Sequence, residues 1–141
     1  MAIGLQFSFE ILVTIEKAVV IGETPLGIQH MIPITGGTID GPDLKGVVLP
    51  GGADWLVARP DGIEEVKAMY TIETADGDKI YVENRGYYDG VSKADVIYFR
   101  TTPMFRACGE QNAWLNRTIM VAEAEVVAED ELIRLRFYKV T

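Results

Sequence analysis

Cysteine and histidine are almost absent from this chain, which has one of each among 141 residues. The single cysteine, Cys108, cannot form an intramolecular disulfide, and it gives no basis for a multi-cysteine zinc site. The single histidine, His30, likewise excludes a metal site built from several histidines. We therefore expect no metal and no cofactor, and the low cysteine count favours a reducing compartment, namely the cytoplasm.

Positive charge is also scarce. The chain has 13 Lys and Arg against 21 Asp and Glu, for a formal net charge of −8. Nucleic acids and anionic membrane surfaces both attract basic faces, so we expect neither as a partner. No segment reaches the roughly 18 consecutive apolar residues of a membrane-spanning helix, and the N-terminus lacks the pattern of a signal peptide.

A sustained helical period is missing as well, and alternation of apolar and polar residues takes its place. Residues 5–15 alternate throughout, as in a long half-buried strand. Two alternating runs, 65–74 and 79–85, flank an Asp-Gly turn, and 117–127 and 131–140 form a last predicted hairpin. Roughly nine short strands between turn signals predict an all-β, single-domain chain over residues 1–141. Long strands and meandering hairpins favour a closed, mostly antiparallel barrel of about 8–10 strands.

Glycine and proline predict where the strands are interrupted. Residues 28–35 form a predicted strand in which Pro33 marks an edge or a bulge. The glycine-rich segment 36–42 is predicted as an irregular link. Residues 91–95 suggest one helical turn, and 96–102 a strand that Pro103 ends.

The stretch Pro50-Gly51-Gly52-Ala53-Asp54-Trp55 joins two apolar runs that are predicted to be strands. Its proline and glycines allow unusual backbone and the close approach of another group. A carboxylate beside an indole ring is typical of a small-molecule site, and loss of hydration there would raise the carboxylate's pKa. We predict that Asp54 transfers a proton and that Trp55 contacts the ligand. The alternative is a bulged turn in which Asp54 caps free amides and Trp55 fills the core.

Two other side chains are candidates for the catalytic group. His30 lies on the predicted apolar face of its strand, either as a proton-transfer group at a barrel mouth or as a structural histidine. Arg100 follows Phe99 on a predicted strand, so one of the two must face the core. Arg100 is therefore either a solvated outward residue or a buried partner of an anion. In the catalytic interpretation, His30 or Arg100 stabilises the negative charge that develops beside Asp54.

Further residues are predicted to bind the ligand. Arg59 lies at a strand end, and the hydroxyls of strand tyrosines, Tyr81 and Tyr98 among them, could orient a small molecule. Trp114 falls in a predicted helical turn over 111–116 that resembles a lid. The alternatives are ordinary half-buried packing for the tyrosines and a loop anchored by its tryptophan.

The pattern as a whole resembles a small bacterial and fungal family of unknown function, the domain-of-unknown-function family numbered thirty-two thirty-seven. The resemblance extends over nearly the whole chain, and Pro-Gly-Gly-Ala-Asp-Trp is its most specific motif. Its other markers are Ile-Pro-Ile-Thr-Gly-Gly at 32–37, Gly41-Pro42, Gly46, Arg59-x-Asp61-Gly62, Tyr70-x-x-x-Thr74-x-Asp76-Gly77, Tyr-Phe-Arg-Thr-Thr-Pro at 98–103 and Trp-Leu-Asn at 114–116. Basic residues are common in the family before the Ile-Pro-Ile stretch, where this chain has Gln29 and His30. The resemblance implies a calycin-like, lipocalin-type barrel and a homo-oligomer, but no settled reaction.

These observations lead to one functional hypothesis and two alternatives. The first is a barrel enzyme that uses Asp54, without a cofactor, to isomerise, eliminate from or cyclise a small organic substrate. The second is a non-catalytic carrier or sensor with the same pocket. The third is a structural oligomeric module in which the motif serves the fold.

Overall fold

The computed structural model describes residues 1–141, and nearly all of the regular structure is β-strand. No helix in the protein has the length and apolar character needed to span a membrane. A single short 3₁₀ helix covers Ala113–Arg117. The strands are β1 Leu5–Ile15, β2 Val19–Thr24, β3 Gly27–Asp40, β4 Gly46–Val48, β5 Gly52–Asp54, β6 Val57–Ala58, β7 Glu64–Thr74, β8 Lys79–Asp89, β9 Tyr98–Ala107, β10 Met120–Ala128 and β11 Leu132–Val140.

The strands form one antiparallel sheet whose pairings return to their starting point. The order runs from β1 through β11, β10, β9, β8 and β7; β7 then pairs with β4, β5 and β6. Those three short strands pair on their other side with β3, and β3 pairs with β1. The ladder between β9 and β10 is short and consists of two residue pairs. The prediction of a single all-β, mostly antiparallel barrel is confirmed.

Strand β3 is longer than predicted. The glycine-rich segment continues the strand to Asp40, so the prediction of an irregular link from residue 36 is wrong. Glycine at position 37 allows β3 to pass close to β1, because the Cβ of any other residue would lie 2.1 Å from the carbonyl oxygen of Leu12. Pro33 sits where β3 exchanges β2 for β1 as its neighbour. A residue without an N–H is tolerated at such a change of partner.

The segment around β9 also differs from its prediction. The strand begins at Tyr98 and continues through Pro103 to Ala107. Pro103 is tolerated because β10 pairs with β9 only at Arg100 and Thr101, so the proline lies beyond that ladder. Residues 91–95 form bends and a turn instead of a helical turn, and the Asp89 carboxylate accepts hydrogen bonds from the backbone N–H groups of Val91 and Ser92.

One end of the barrel is filled by aromatic side chains. Phe9 stacks on Phe137 with ring centroids 4.9 Å apart, and Phe105 meets both rings edge-on. The 3₁₀ helix closes this end with the buried Leu115. Its Asn116 side chain accepts from the N–H of Ala107 and donates to that residue's carbonyl oxygen, which ties the helix to β9. This end of the barrel is therefore closely packed.

Candidate functional site

The end of the barrel opposite the aromatic cluster contains a cavity of about 320 Å³. Its walls are mostly apolar and come from strands on every side of the ring. They include Ile32 of β3, Leu56, Val66 of β7, Phe99 of β9 and Leu135 of β11. The barrel is therefore not filled along its whole length, and a small organic molecule is the kind of ligand such a cavity accommodates.

The Pro-Gly-Gly-Ala-Asp-Trp motif places a carboxylate in this cavity. Gly51 adopts φ +105°, which turns the chain from β4 into β5 and which favours glycine. Gly52 then passes so close to β7 that a Cβ on it would lie 2.5 Å from the Cβ of Tyr70. Asp54, the last residue of β5, pairs with Ile32 on one side and Ala68 on the other, and its side chain lines the cavity. The predicted break between strands thus sets the inward direction of Asp54.

Burial changes the acidity of the Asp54 carboxyl. The pKa rises from 3.8 to about 6, chiefly because the carboxyl loses solvation, and the nearby Glu64 contributes to the rise. One hydrogen bond opposes this rise, because the backbone N–H of Lys67 donates to Oδ1 at 2.9 Å. A carboxyl group with a pKa near neutrality is suited to both taking up and releasing a proton.

Three buried polar side chains line the cavity without a hydrogen-bond partner in the protein. They are the Tyr70 hydroxyl, the Asn84 carboxamide oxygen and the Thr101 hydroxyl. They stand on the neighbouring strands β7, β8 and β9. Asn84 pairs across the sheet with Ala68, which in turn pairs with Asp54, so the small Ala68 side chain separates the two polar groups in one row. Unpartnered buried polar atoms are rare, so three of them in one cavity make this cavity the candidate functional site.

The cavity mouth is acidic. Glu64, Glu129 and Asp130 lie there beside His30. Burial raises the pKa of the Glu64 carboxyl; His30 opposes that rise and Glu129 adds to it. The His30 ring is held by a 3.1 Å contact between Nδ1 and the carbonyl oxygen of Ile28. The structure contains no group of three or more His, Cys, Asp or Glu side chains placed to hold a metal ion.

Asp54 and His30 are the two predicted site residues that the structure brings together in the cavity. Three others lie outside it. Trp55 follows Asp54 in an extended chain, so it points outward and is 40% exposed. Arg59 forms ion pairs with Asp61 and Glu65 at the surface. Arg100 alternates with the buried Phe99 and is exposed, which decides the question that the sequence left open.

The remaining predicted ligand contacts are also away from the cavity. The Tyr81 hydroxyl donates to Glu83 on the outer face. Tyr98 is exposed, and the guanidinium of Arg100 lies 5.7 Å from its ring centroid. Trp114 belongs to the 3₁₀ helix and packs against the core at the filled end, with the Lys139 ammonium 5.5 Å from its ring centroid. None of the three is placed to touch a molecule bound beside Asp54.

The polar residues deepest in the cavity are not among those predicted from the sequence. Asn84 and Thr101 share a face with neighbours two positions away that are plainly apolar, Val82 and Phe99. That shared face was the available signal, since a polar residue on the apolar face of a strand is costly unless it is satisfied or used. Glu64 carried no such signal, because a charged residue at a strand end is ordinary.

Comparison with known proteins assigns the chain to a family. The family model described as "Protein of unknown function (DUF3237)" matches residues 3–140. The chain belongs to this family. A UPF0311 protein of Clostridium acetobutylicum is 36% identical over 94% of this chain and 91% of its own length. The family predicted from the motifs is thereby confirmed.

A solved structure and a named enzyme extend the comparison. A β-barrel-like protein from Acinetobacter baumannii superimposes with a TM-score of 0.93 at 28% identity, covering all of this chain and 98% of its own. The hydroalkoxylation enzyme phnH of Penicillium herquei is 30% identical over 80% of this chain and 68% of its own length. One relative of this chain is therefore named as an enzyme.

Proposed function

We propose that this protein is an acid/base enzyme that works without a cofactor on a small organic substrate, with Asp54 as its proton-transfer group. The reaction class is an isomerisation or cyclisation in which a proton leaves one atom of the substrate and is delivered to another. The observation that carries the proposal is a carboxyl group turned into an apolar cavity, where burial raises its pKa to about 6.

The position of Asp54 suits proton transfer better than a structural role. It accepts one hydrogen bond, from the Lys67 N–H, and no cation is paired with it. A carboxylate that only stabilised the fold would be expected to carry a partner cation or several donors. Here the second oxygen is free to receive a proton from a bound molecule.

The neighbouring groups supply orientation and charge stabilisation. The Tyr70 and Thr101 hydroxyls and the Asn84 carboxamide have unused hydrogen-bonding capacity inside the cavity. The two hydroxyls can donate to an oxygen of the substrate while its charge changes during the reaction, and the Asn84 oxygen can accept from a hydroxyl group of the substrate. His30 lies among the residues of the mouth, where it can exchange protons between the cavity and solvent.

Hydroalkoxylation, the reaction in the name of the Penicillium herquei relative, fits this chemistry. It adds an O–H group across a carbon–carbon double bond: the O–H bond and the π bond break, while a C–O and a C–H bond form. All atoms stay in the product, and neither an oxidant nor a reductant is needed. Asp54 would take the hydroxyl proton, and the same proton would be returned to carbon.

The test uses 2-allylphenol, a molecule that carries both a hydroxyl group and an alkene. We expect the wild-type protein to convert it to a cyclic ether of unchanged mass. Chromatography with mass detection measures the formation of this product. Asp54→Asn keeps the size of the side chain but cannot take up a proton. We expect it to reduce kcat/KM by about 10²–10⁴-fold.

Asp76→Asn, a change to a carboxylate that contacts Gln111 outside the cavity, serves as the matched control and should retain full activity. An Asp54→Asn protein as active as wild type would contradict the proposal. Binding of 2-allylphenol without conversion would also contradict it and would instead favour a carrier. An Asp54→Asn chain that fails to fold would indicate that the motif serves the structure.

A further inference from the structure

We propose that the cavity recognises an uncharged molecule through a hydroxyl group, which Tyr70, Asn84 and Thr101 bind at its deep end. This inference names the substrate class of the proposed enzyme and rests on the cavity being its ligand site. It goes beyond the reaction type, because it states which part of the substrate is bound and which charge is rejected.

The first step is the burial of the three unpartnered groups. Tyr70 is 4% exposed, and Asn84 and Thr101 are each 2% exposed. The hydroxyl oxygens of Tyr70 and Thr101 and the carboxamide oxygen of Asn84 have no hydrogen-bond partner in the protein. Each such group lowers the stability of the fold unless something bound in the cavity satisfies it. Three of them in one cavity lined mainly by apolar side chains specify a polar head rather than a purely apolar ligand.

The second step is their arrangement. Tyr70 and Ala68 lie two residues apart on β7, and Ala68 pairs with Asn84 on β8. Thr101 of β9 pairs with Gly86, two residues from Asn84 on β8. The three side chains therefore follow a diagonal across adjacent strands, at spacings of about 7–8 Å between neighbours. A single polar head between them can reach more than one.

The third step is the identity of the unpartnered atom on Asn84. It is the carboxamide oxygen, which can only accept a hydrogen bond. The two hydroxyls can donate or accept and adapt to either. A ligand hydroxyl can donate to this oxygen, whereas a ketone or an ether, which only accepts, would leave it unpaired.

The fourth step is charge. No lysine or arginine lines the cavity, whereas Asp54, Glu64, Glu129 and Asp130 all do. An anionic ligand would meet these carboxylates, and His30 is the one lining side chain that could offset the repulsion by carrying positive charge. A volume of about 320 Å³ lies near the lower end of the range for ligand sites, which favours a compact molecule.

Three compounds with the same ring system test the inference by isothermal titration calorimetry at neutral pH. 2-Naphthol is uncharged and carries a hydroxyl donor, 2-methoxynaphthalene has lost the donor, and 2-naphthoate is an anion. We expect 2-naphthol to bind, 2-methoxynaphthalene to bind about tenfold more weakly, and 2-naphthoate to show no binding. Because binding is measured, the result is independent of any turnover by Asp54.

Isosteric variants identify the residues that recognise the hydroxyl. Tyr70→Phe and Thr101→Val each remove one hydroxyl and should weaken 2-naphthol binding severalfold while leaving 2-methoxynaphthalene unchanged. Both variants should also raise the Tm of the ligand-free protein, since a buried group without a partner is removed. Tyr81→Phe, which removes a hydroxyl on the outer face, is the control and should change neither affinity.

A lower Tm for both Tyr70→Phe and Thr101→Val would overturn the proposal, because it would show that the hydroxyls are satisfied within the protein. Equal affinity for all three compounds, or failure of 2-naphthol to bind, would overturn it as well. If the three naphthalene compounds bind as expected but the wild-type protein does not convert 2-allylphenol, only the proposed reaction is refuted.

Discussion

Asp54 is held in the fold at a cost in stability. Its carboxyl has a pKa of about 6 where an ordinary aspartate has 3.8. That difference corresponds to roughly 3 kcal/mol of free energy lost when the side chain is ionised in the folded protein. Groups that are kept in an unfavourable state of this kind cluster at functional sites. The cost is therefore an argument for a role beyond folding.

Replacing Asp54 with asparagine should stabilise the protein at high pH. The raised pKa means that the folded state binds the proton more tightly than the unfolded state, so stability falls as pH rises from about 4 through 6. Asp54→Asn cannot ionise and still offers an oxygen to the Lys67 N–H. We expect a gain of up to roughly 3 kcal/mol at pH 8 that vanishes near pH 4, measured by urea unfolding.

Asp61→Asn provides a control of opposite sign. The pKa of Asp61 is lowered chiefly by its hydrogen bond to Arg59, so its contribution to stability is present at neutral pH and is lost as pH falls. This variant should be less stable than wild type at pH 8 and should approach it in acid. A pH-independent effect of Asp54→Asn would show that its carboxyl is not desolvated.

At the scale of elements, the three short strands β4, β5 and β6 position the site. Those strands together take the place of one strand between β3 and β7. The break between β4 and β5 directs Asp54 inward, and the close approach of Gly52 to β7 brings β5 near Tyr70. The glycines of the motif are therefore needed for backbone approach as well as for the turn.

Gly52→Ala should strain this element. The added Cβ would lie 2.5 Å from the Cβ of Tyr70 and 2.7 Å from the carbonyl oxygen of Met69, and neither can move away freely. We expect a loss of about 1–3 kcal/mol in urea unfolding together with weaker ligand binding. Gly90→Ala is the control, since its nearest neighbour would be at 3.6 Å. Equal stability of the Gly52→Ala protein and wild type would contradict the tight packing of β5 on β7.

Alternation predicted some elements much better than others. The strand over residues 5–15 has the bounds that the pattern predicted, and the hairpin around Gly77 forms as expected. Pro103 and the glycines at 36 and 37 were read as strand breaks, but they lie within strands. Their effect depends on which neighbouring strand is present at that point, and a single sequence does not contain that information.

At the scale of the whole molecule, the two ends of the barrel differ in kind. Phe9, Phe105 and Phe137 fill one end, while the other contains the cavity. Both ends are built from similar alternating strands, so the pattern predicts a barrel without indicating which end is hollow. Asp54 was found because its motif is local. Asn84 and Thr101 become candidate site residues only when the fold places their strands around the same cavity.

Alternation along the strands explains why some of the predicted site residues point outward. Trp55 and Arg100 each stand next to an inward-facing residue, Asp54 and Phe99. Adjacent positions on a strand face opposite sides, so selecting neighbours along the chain selected the wrong face. Candidates two positions apart, or paired across strands, would have formed a better set.

The most direct test of this account is a titration of the Asp54 carboxyl by ¹³C nuclear magnetic resonance on the ligand-free protein, with the signal assigned by its absence in Asp54→Asn. Asp89, whose pKa is lowered by hydrogen bonds from Ser92, serves as the internal reference and should titrate below 3.8. The account predicts a midpoint of about 6 for Asp54. A midpoint near 3.8, the value of an ordinary aspartate, would contradict it.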